Sequence, residues 1–204
     1  MTQYGFYYDA TRCTGCHTCE AACRDYHGLS LKMAFRRVYE VEGGLWSQAS
    51  DGTWITDSYA YYTSISCQHC DNPACTQVCP TGAMHKGENG IVSVEEKRCI
   101  GCGYCALACP YKAPRVDREV GHSVKCDGCA SRMAAGELPI CVEACSMRCI
   151  EFGSIDELPR GTRAAVAPLP DPSVTQPNLY INECAAAQPF GSLDCRIANA
   201  AEVD

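Results

Sequence analysis

Alternating apolar and polar stretches are short and scattered along this sequence. Tyr4-Gly-Phe-Tyr-Tyr-Asp9 predicts a short aromatic strand. Arg37-Val-Tyr-Glu-Val41 alternates, as does the stretch from Trp54 to Tyr62, and a polar turn around Ser50, Asp51 and Gly52 joins them into an expected β-hairpin. Ala83-Met-His-Lys86 and Ile91-Val-Ser-Val94 flank Gly87-Glu-Asn-Gly90 and predict a second hairpin. Beyond about Arg160 periodicity fades. Pro168, Pro170, Pro172, Pro177 and Pro189 punctuate a tail that is expected to lie extended across a partner. No window approaches eighteen uninterrupted apolar residues, so no membrane-spanning helix is expected. The opening residues carry neither the basic nor the apolar region of a signal peptide.

Composition changes the picture. Nineteen of the 204 residues are Cys, and the formal charge of −7 argues against nucleic acid as the main partner. A disulfide scaffold suits short secreted chains, whereas this one is long, with an odd Cys count. Zinc favours isolated Cys pairs closed as sets of four, often with His. Iron–sulfur clusters favour tight runs with a further Cys set slightly apart.

The spacing favours clusters. The first run holds Cys13, Cys16, Cys19 and Cys23; the third holds Cys99, Cys102, Cys105 and Cys109. Both fit C-x2-C-x2-C-x3-C completely. The second run, Cys67, Cys70, Cys75 and Cys79, widens one gap, and the fourth, Cys126, Cys129, Cys141 and Cys145, widens the same gap further. Three close thiolates can wrap three corners of a cubane, while the fourth Cys ligates the other cluster of a pair. Short helices are expected to follow each fourth Cys.

Sequence distance suggests the pairing. Runs two and three are neighbours, and runs one and four must pair around them. The expected ligand sets are Cys13, Cys16, Cys19 with Cys145; Cys126, Cys129, Cys141 with Cys23; Cys67, Cys70, Cys75 with Cys109; and Cys99, Cys102, Cys105 with Cys79. The expected fold class is therefore α+β, with two nested ferredoxin-like modules of short strands and helices. Residues 1–23 with 120–160 form the outer module, 24–66 the hairpin insertion, 67–119 the inner module and 161–204 the partner-binding tail.

Smaller features fit. Gly15, Gly101 and Gly128 fill one C-x-Gly-C slot, where a loop turning its N–H groups onto sulfur needs glycine's φ freedom. Arg12, Arg98 and Lys125 each precede a first Cys, where a cation would offset cluster charge; Ser66 breaks that pattern. His17 and His69 sit inside runs, while His27, His85 and His122 carry no signal. Cys149 reads as a small buried hydrophobe at a strand. Cys184 and Cys195 lie in the tail, close enough in sequence for a disulfide. Arg36-Arg37 is internal and on an expected strand, so it is not an export signal. Neither a Ser–His–Asp arrangement nor a phosphate loop is visible.

These runs, in this order, resemble the four-cluster iron–sulfur subunits of complex molybdopterin oxidoreductases. Gln3-Tyr-Gly-Phe-Tyr-Tyr-Asp9, Phe35-Arg-Arg-Val-Tyr39, Ser64-Ile-Ser-Cys67, Lys125-Cys-Asp-Gly-Cys129 and Ala164-Ala-Val-Ala-Pro-Leu-Pro170 are most similar to the dimethyl sulfoxide reductase branch. Ser146 departs from the family's usual Pro. The resemblance implies four [4Fe–4S] clusters and no substrate chemistry on this protein. It implies two partners, a molybdopterin catalytic subunit that reduces S- or N-oxides and a quinol-oxidising membrane subunit. It further implies a peripheral place on the outer face of the cytoplasmic membrane, after export with a twin-arginine catalytic subunit. Where nitrate reductase relatives have Trp and a [3Fe–4S] cluster, this sequence has Cys102. The equivalent subunit of a selenate, polysulfide, thiosulfate or formate enzyme, a free soluble polyferredoxin and a structural zinc protein are the alternatives.

Overall fold

The computed structural model describes residues 2–203. In sequence order its elements are β1 Tyr4–Asp9, α1 Thr18–Tyr26, β2 Arg37–Gly43, β3 Trp46–Gln48, β4 Trp54–Thr56, β5 Tyr59–Ile65, α2 Ala74–Gln77, β6 Met84–Lys86, β7 Val92–Val94, α3 Tyr104–Ala108, β8 Arg115–Asp117, β9 His122–Val124, α4 Ala130–Ala134, α5 Ile140–Glu143, β10 Ile150–Ser154, β11 Thr162–Arg163, β12 Leu179–Asn182, β13 Cys195–Ile197 and α6 Ala200–Val203. Helices and strands are mixed throughout, as the α+β reading expects.

β1 is the aromatic strand, and its alternation turns Phe6 and Tyr8 inward. It pairs antiparallel with β10, Tyr4 opposite Ser154 and Tyr8 opposite Ile150. Phe6 and Phe152 meet with ring centroids 4.7 Å apart. The hairpin insertion forms in two tiers. β2 and β5 run from Arg37 opposite Ile65 to Gly43 opposite Tyr59, and their inner face buries Val38, Val41, Tyr61 and Ile65. β3 and β4 continue outward to a turn at Gly52, whose φ of 85° suits glycine. That outer tier is solvent-exposed, with Trp46 and Trp54 diagonal on one face. The second hairpin pairs β6 with β7, Met84 opposite Val94.

Helix placement differs from expectation. α2, α3 and α5 each begin at or next to the third Cys of a run and end before the fourth; α1 carries both Cys19 and Cys23. Pro80 and Pro110 explain two of these stops, because the residue before proline is disfavoured in the α region. Cys109 is accordingly extended, at φ −81° and ψ 113°. α1 packs on α5, and α2 on α3.

The tail also differs from expectation. Residues 161–203 are woven into the body instead of lying loose. β12 lies parallel beside β1, Phe6 opposite Leu179 and Tyr8 opposite Ile181, and β11 closes its other edge. β13 adds to β2. Ala164, Val166, Leu169, Leu179, Ile181 and Val203 are all buried. Side chains stitch the segment down: Tyr61 Oη donates to Ala167 O at 2.9 Å, and Arg37 Nη1 to Val203 O at 2.9 Å. The apolar positions that do this are few and separated by prolines, so they form no period long enough to read.

Ile181 is 1% exposed in the middle of this sheet. Ile181→Ala should therefore destabilise the protein by about 2–5 kcal/mol, the range for truncating a buried Ile. Thermal unfolding of the metal-loaded protein measures this; an unchanged Tm would mean the strand is not part of the cooperative unit.

Candidate metal centres

The four runs share a backbone trick. Gly15, Gly101 and Gly128 have φ of 66°, 66° and 73°, the left-handed conformation expected of the C-x-Gly-C slot. In the second run His69 fills the slot and adopts the same handedness, φ 44°. A second left-handed residue follows the next Cys at His17 and Gly103. These turns wind the run inward, and a helix then carries the third Cys: Cys19 on α1, Cys75 on α2, Cys105 on α3 and Cys141 on α5.

The thiols gather in four groups. Cys13, Cys16, Cys19 and Cys145 line one cavity with Val38, Ser64 and Ile150. Cys79, Cys99, Cys102 and Cys105 line another with Ala83, Met84 and Val94. Cys75 is pushed up to about 12, first by burial and then by the charges of Cys67, Cys109 and Cys70 close by. Cys23 is pushed up in the same way, by burial and then by Cys126, Cys141 and Cys129. Among the described residues no three His, Cys, Asp or Glu converge as ligands of a single ion would. Around these two cavities the thiols surround a space, as a multi-atom inorganic core would need. Because clustered, buried thiols resist ionisation, holding such a set as thiolates requires a compensating positive centre. Backbone N–H groups already point at the sulfurs: Met84 N donates to Cys79 Sγ at 3.3 Å, Ser123 N to Cys99 Sγ at 3.3 Å and Cys149 N to Cys145 Sγ at 3.4 Å.

Residues 12–83 and 58–155 each match a 4Fe-4S dicluster domain. The sequence is 54% identical over 205 residues to the B subunit of anaerobic dimethyl sulfoxide reductase from Haemophilus influenzae, covering all of both proteins. It is 54% identical over 204 residues to the subunit of the same name from Escherichia coli K12, covering 99% of each. A thiosulfate reductase electron transfer subunit of Salmonella typhi is 40% identical over 156 residues, 76% of this sequence and 78% of that one. This protein belongs to the family of anaerobic dimethyl sulfoxide reductase B subunits.

In this member of the B-subunit family the buried cations are as informative as the thiols. Arg36 is 2% exposed and, among the described residues, has no carboxylate partner. Its guanidinium donates to Ser64 O, Ser64 Oγ and Ser66 Oγ at 3.1–3.3 Å and lies over the Phe6 ring. Burial opposes its charge, but the sulfurs of Cys141, Cys19, Cys126 and Cys23 more than restore it. It thus serves two thiol groups at once. Lys125 is buried as well, its Nζ donating to Val92 O and to Cys126 O. His69 is fully buried, with Nδ1 3.1 Å from Val92 N and 3.8 Å from Cys67 Sγ. Burial would keep its ring neutral, yet the charge of Cys67 and hydrogen bonds with Cys126 and Cys67 raise it to about 9. Burial would likewise push the Cys67 thiol up, but Lys125 and His69 outweigh it and bring Cys67 down to about 5.

Sequence reasoning placed the cations only in part. Of the three that precede a first Cys, Lys125 alone is buried; Arg12 is exposed, and Arg98 pairs with Glu95 at 3.3 Å. Arg36 was visible only as half of an internal twin arginine. His27, which carried no signal, has Nε2 3.5 Å from Cys129 Sγ. His17 spans Glu20 and Glu40, at 3.2 and 3.6 Å. Cys184 and Cys195 are free thiols, not a disulfide. Cys149 is buried as expected, but against Cys145, 3.4 Å away.

A Cβ on Gly101 would stand 2.6 Å from Gly121 O, in a left-handed backbone. Gly101→Ala should therefore cost at least about 1–3 kcal/mol from backbone strain alone. Thermal unfolding and iron content should both fall against the wild type, while Gly136→Ala, with open space at its Cβ, isolates the contribution of φ alone.

Proposed function

We propose that this protein is a four-cluster electron wire within a dimethyl sulfoxide reductase-type complex. Sixteen thiolates would hold it: Cys13, Cys16, Cys19 and Cys145; Cys126, Cys129, Cys141 and Cys23; Cys67, Cys70, Cys75 and Cys109; Cys99, Cys102, Cys105 and Cys79. A [4Fe–4S] cluster in each set supplies one-electron transfer, with a potential set by its surroundings. The protein's own residues provide those surroundings. Apolar walls exclude water, amides donate to sulfur, and Arg36, Lys125 and His69 offset negative charge.

The observation that carries the reading is that thiols distant in sequence share cavities: Cys145 joins Cys13, Cys16 and Cys19 around one, and Cys79 joins Cys99, Cys102 and Cys105 around another. Buried Arg36, with its charge favoured by Cys19, Cys23, Cys126 and Cys141, supports close neighbouring sets. The third and fourth sets draw on the same pair of packed helices, α2 and α3. Such sharing supports a row of closely spaced centres. At its two ends stand Cys16 and Cys102, both exposed thiols. Each end would then face a partner: a molybdopterin subunit reducing dimethyl sulfoxide or related S- and N-oxides at one, a quinol-oxidising membrane subunit at the other. No helix among the described residues is long and apolar enough to cross a membrane, which fits a peripheral subunit, on the outer face in the family's arrangement. The exposed tier with Trp46, Trp54 and Ile55 supports contact with another protein. Residues 1–23 with 120–160 would make up the outer of two nested modules and residues 67–119 the inner one. The outer face of the tail would meet a partner.

Two measurements test this. Fully loaded protein should contain about 16 iron and about 16 acid-labile sulfide per molecule, four of each per cubane; about half that would end the four-cluster reading. Cys102→Ser should keep three clusters intact and convert the fourth to [3Fe–4S], with a new oxidised-state EPR signal. Quinol-driven turnover of the complex should fall while turnover from an artificial donor to the catalytic subunit survives. If conversion leaves quinol-driven turnover unchanged, the fourth cluster is not on the path.

A further inference from the structure

Cys149 is not among the sixteen thiols assigned above, yet it faces the same cavity as Cys13, Cys16, Cys19 and Cys145. It is 3% exposed, and its Sγ lies 3.4 Å from Cys145 Sγ. The backbone makes this placement definite. Arg148 N donates to Cys145 O at 3.1 Å, and Arg148 takes φ 51°, a left-handed turn uncommon for a non-glycine residue. That turn returns the backbone to the cavity, where Asp9 N of β1 donates to Cys149 O at 2.8 Å. Cys145 and Cys149 also repeat the C-x3-C spacing that closes runs one, two and three. The wall around Cys79, Cys99, Cys102 and Cys105, by contrast, carries four thiols and no fifth.

We infer that Cys149 is a reserve ligand, able to take the place of Cys145 in the set completed by Cys13, Cys16 and Cys19. The inference rests on the ligand assignment proposed above. Exchange breaks one iron–thiolate bond, to Cys145, and forms one, to Cys149. The proton leaving Cys149 passes to the freed Cys145 sulfur beside it, and no electron is gained or lost. When Cys145 is absent the proton goes to solvent. A centre whose fourth ligand can be replaced in this way resists loss of iron when Cys145 is oxidised or displaced.

The test compares the full-length protein, purified without oxygen, as wild type, Cys145→Ala, Cys145→Ala/Cys149→Ala and Cys79→Ala. Iron, acid-labile sulfide and EPR are the readouts, so activity is not needed. Wild type and Cys145→Ala should hold the same iron, with one EPR signal shifted in Cys145→Ala. The double variant and Cys79→Ala should lose iron from one cluster. Equal iron loss in Cys145→Ala and the double variant overturns the reserve role while leaving the sixteen-ligand assignment intact. So does a Cys145→Ala protein that fails to assemble where Cys79→Ala succeeds. Wild-type protein with fewer than four clusters overturns both.

Discussion

Negative charge kept out of water is the constraint around which this molecule is built. Thiols packed together in an apolar interior resist becoming thiolates, as the raised values of Cys70 and Cys75 express. Once ionised, they repel one another. Much of the secondary structure is brief: several strands span three residues and several helices four or five. The central apolar cluster includes Cys19, Cys23, Cys141 and Cys145 among its buried members. The thiols that would bind metal are thus part of the core that must close, the situation in which metal binding couples to folding in small metal-dependent domains.

Cations complete this arrangement from inside. A buried arginine lacking a carboxylate is costly unless something anionic stands nearby. Among the described residues Arg36 meets that condition through the sulfurs of Cys141, Cys19, Cys126 and Cys23, which favour its charge. Lys125 and His69 repeat the solution one step further along the row of groups. Placing a fixed positive charge between two negative centres lowers the cost of bringing them close, and closeness is what rapid electron transfer between them requires. In the proposed row of clusters the same side chains would serve both stability and transport.

The sequence reveals its chemistry far better than its packing. Cys spacing is legible because a run supplies several thiols from one short stretch, and the structure lines one cavity with Cys13, Cys16, Cys19 and Cys145 and another with Cys79, Cys99, Cys102 and Cys105. The aromatic strand and both hairpins are legible for the usual reason, period-two alternation bounded by turn residues. The tail is not. Leu179 and Ile181 alternate over too short a stretch after Pro177 to announce a central strand, and β12 gains its stability from β1, far away in the sequence. Helix positions slip because the run itself suggests only that a turn follows. The burial of Arg36 and the contact of Cys149 with Cys145 stay hidden because both depend on distant elements meeting, which belongs to the finished fold.

The strand beside β1 has a consequence for how the protein is made. All the cluster-run cysteines lie at or before Cys145, whereas β12 begins at Leu179 and α6 follows later still. During synthesis the thiols therefore emerge before β12 can pair with β1, and until then that edge of β1 is open. Iron and sulfide delivered in that interval would meet a sheet that still lacks an inner strand.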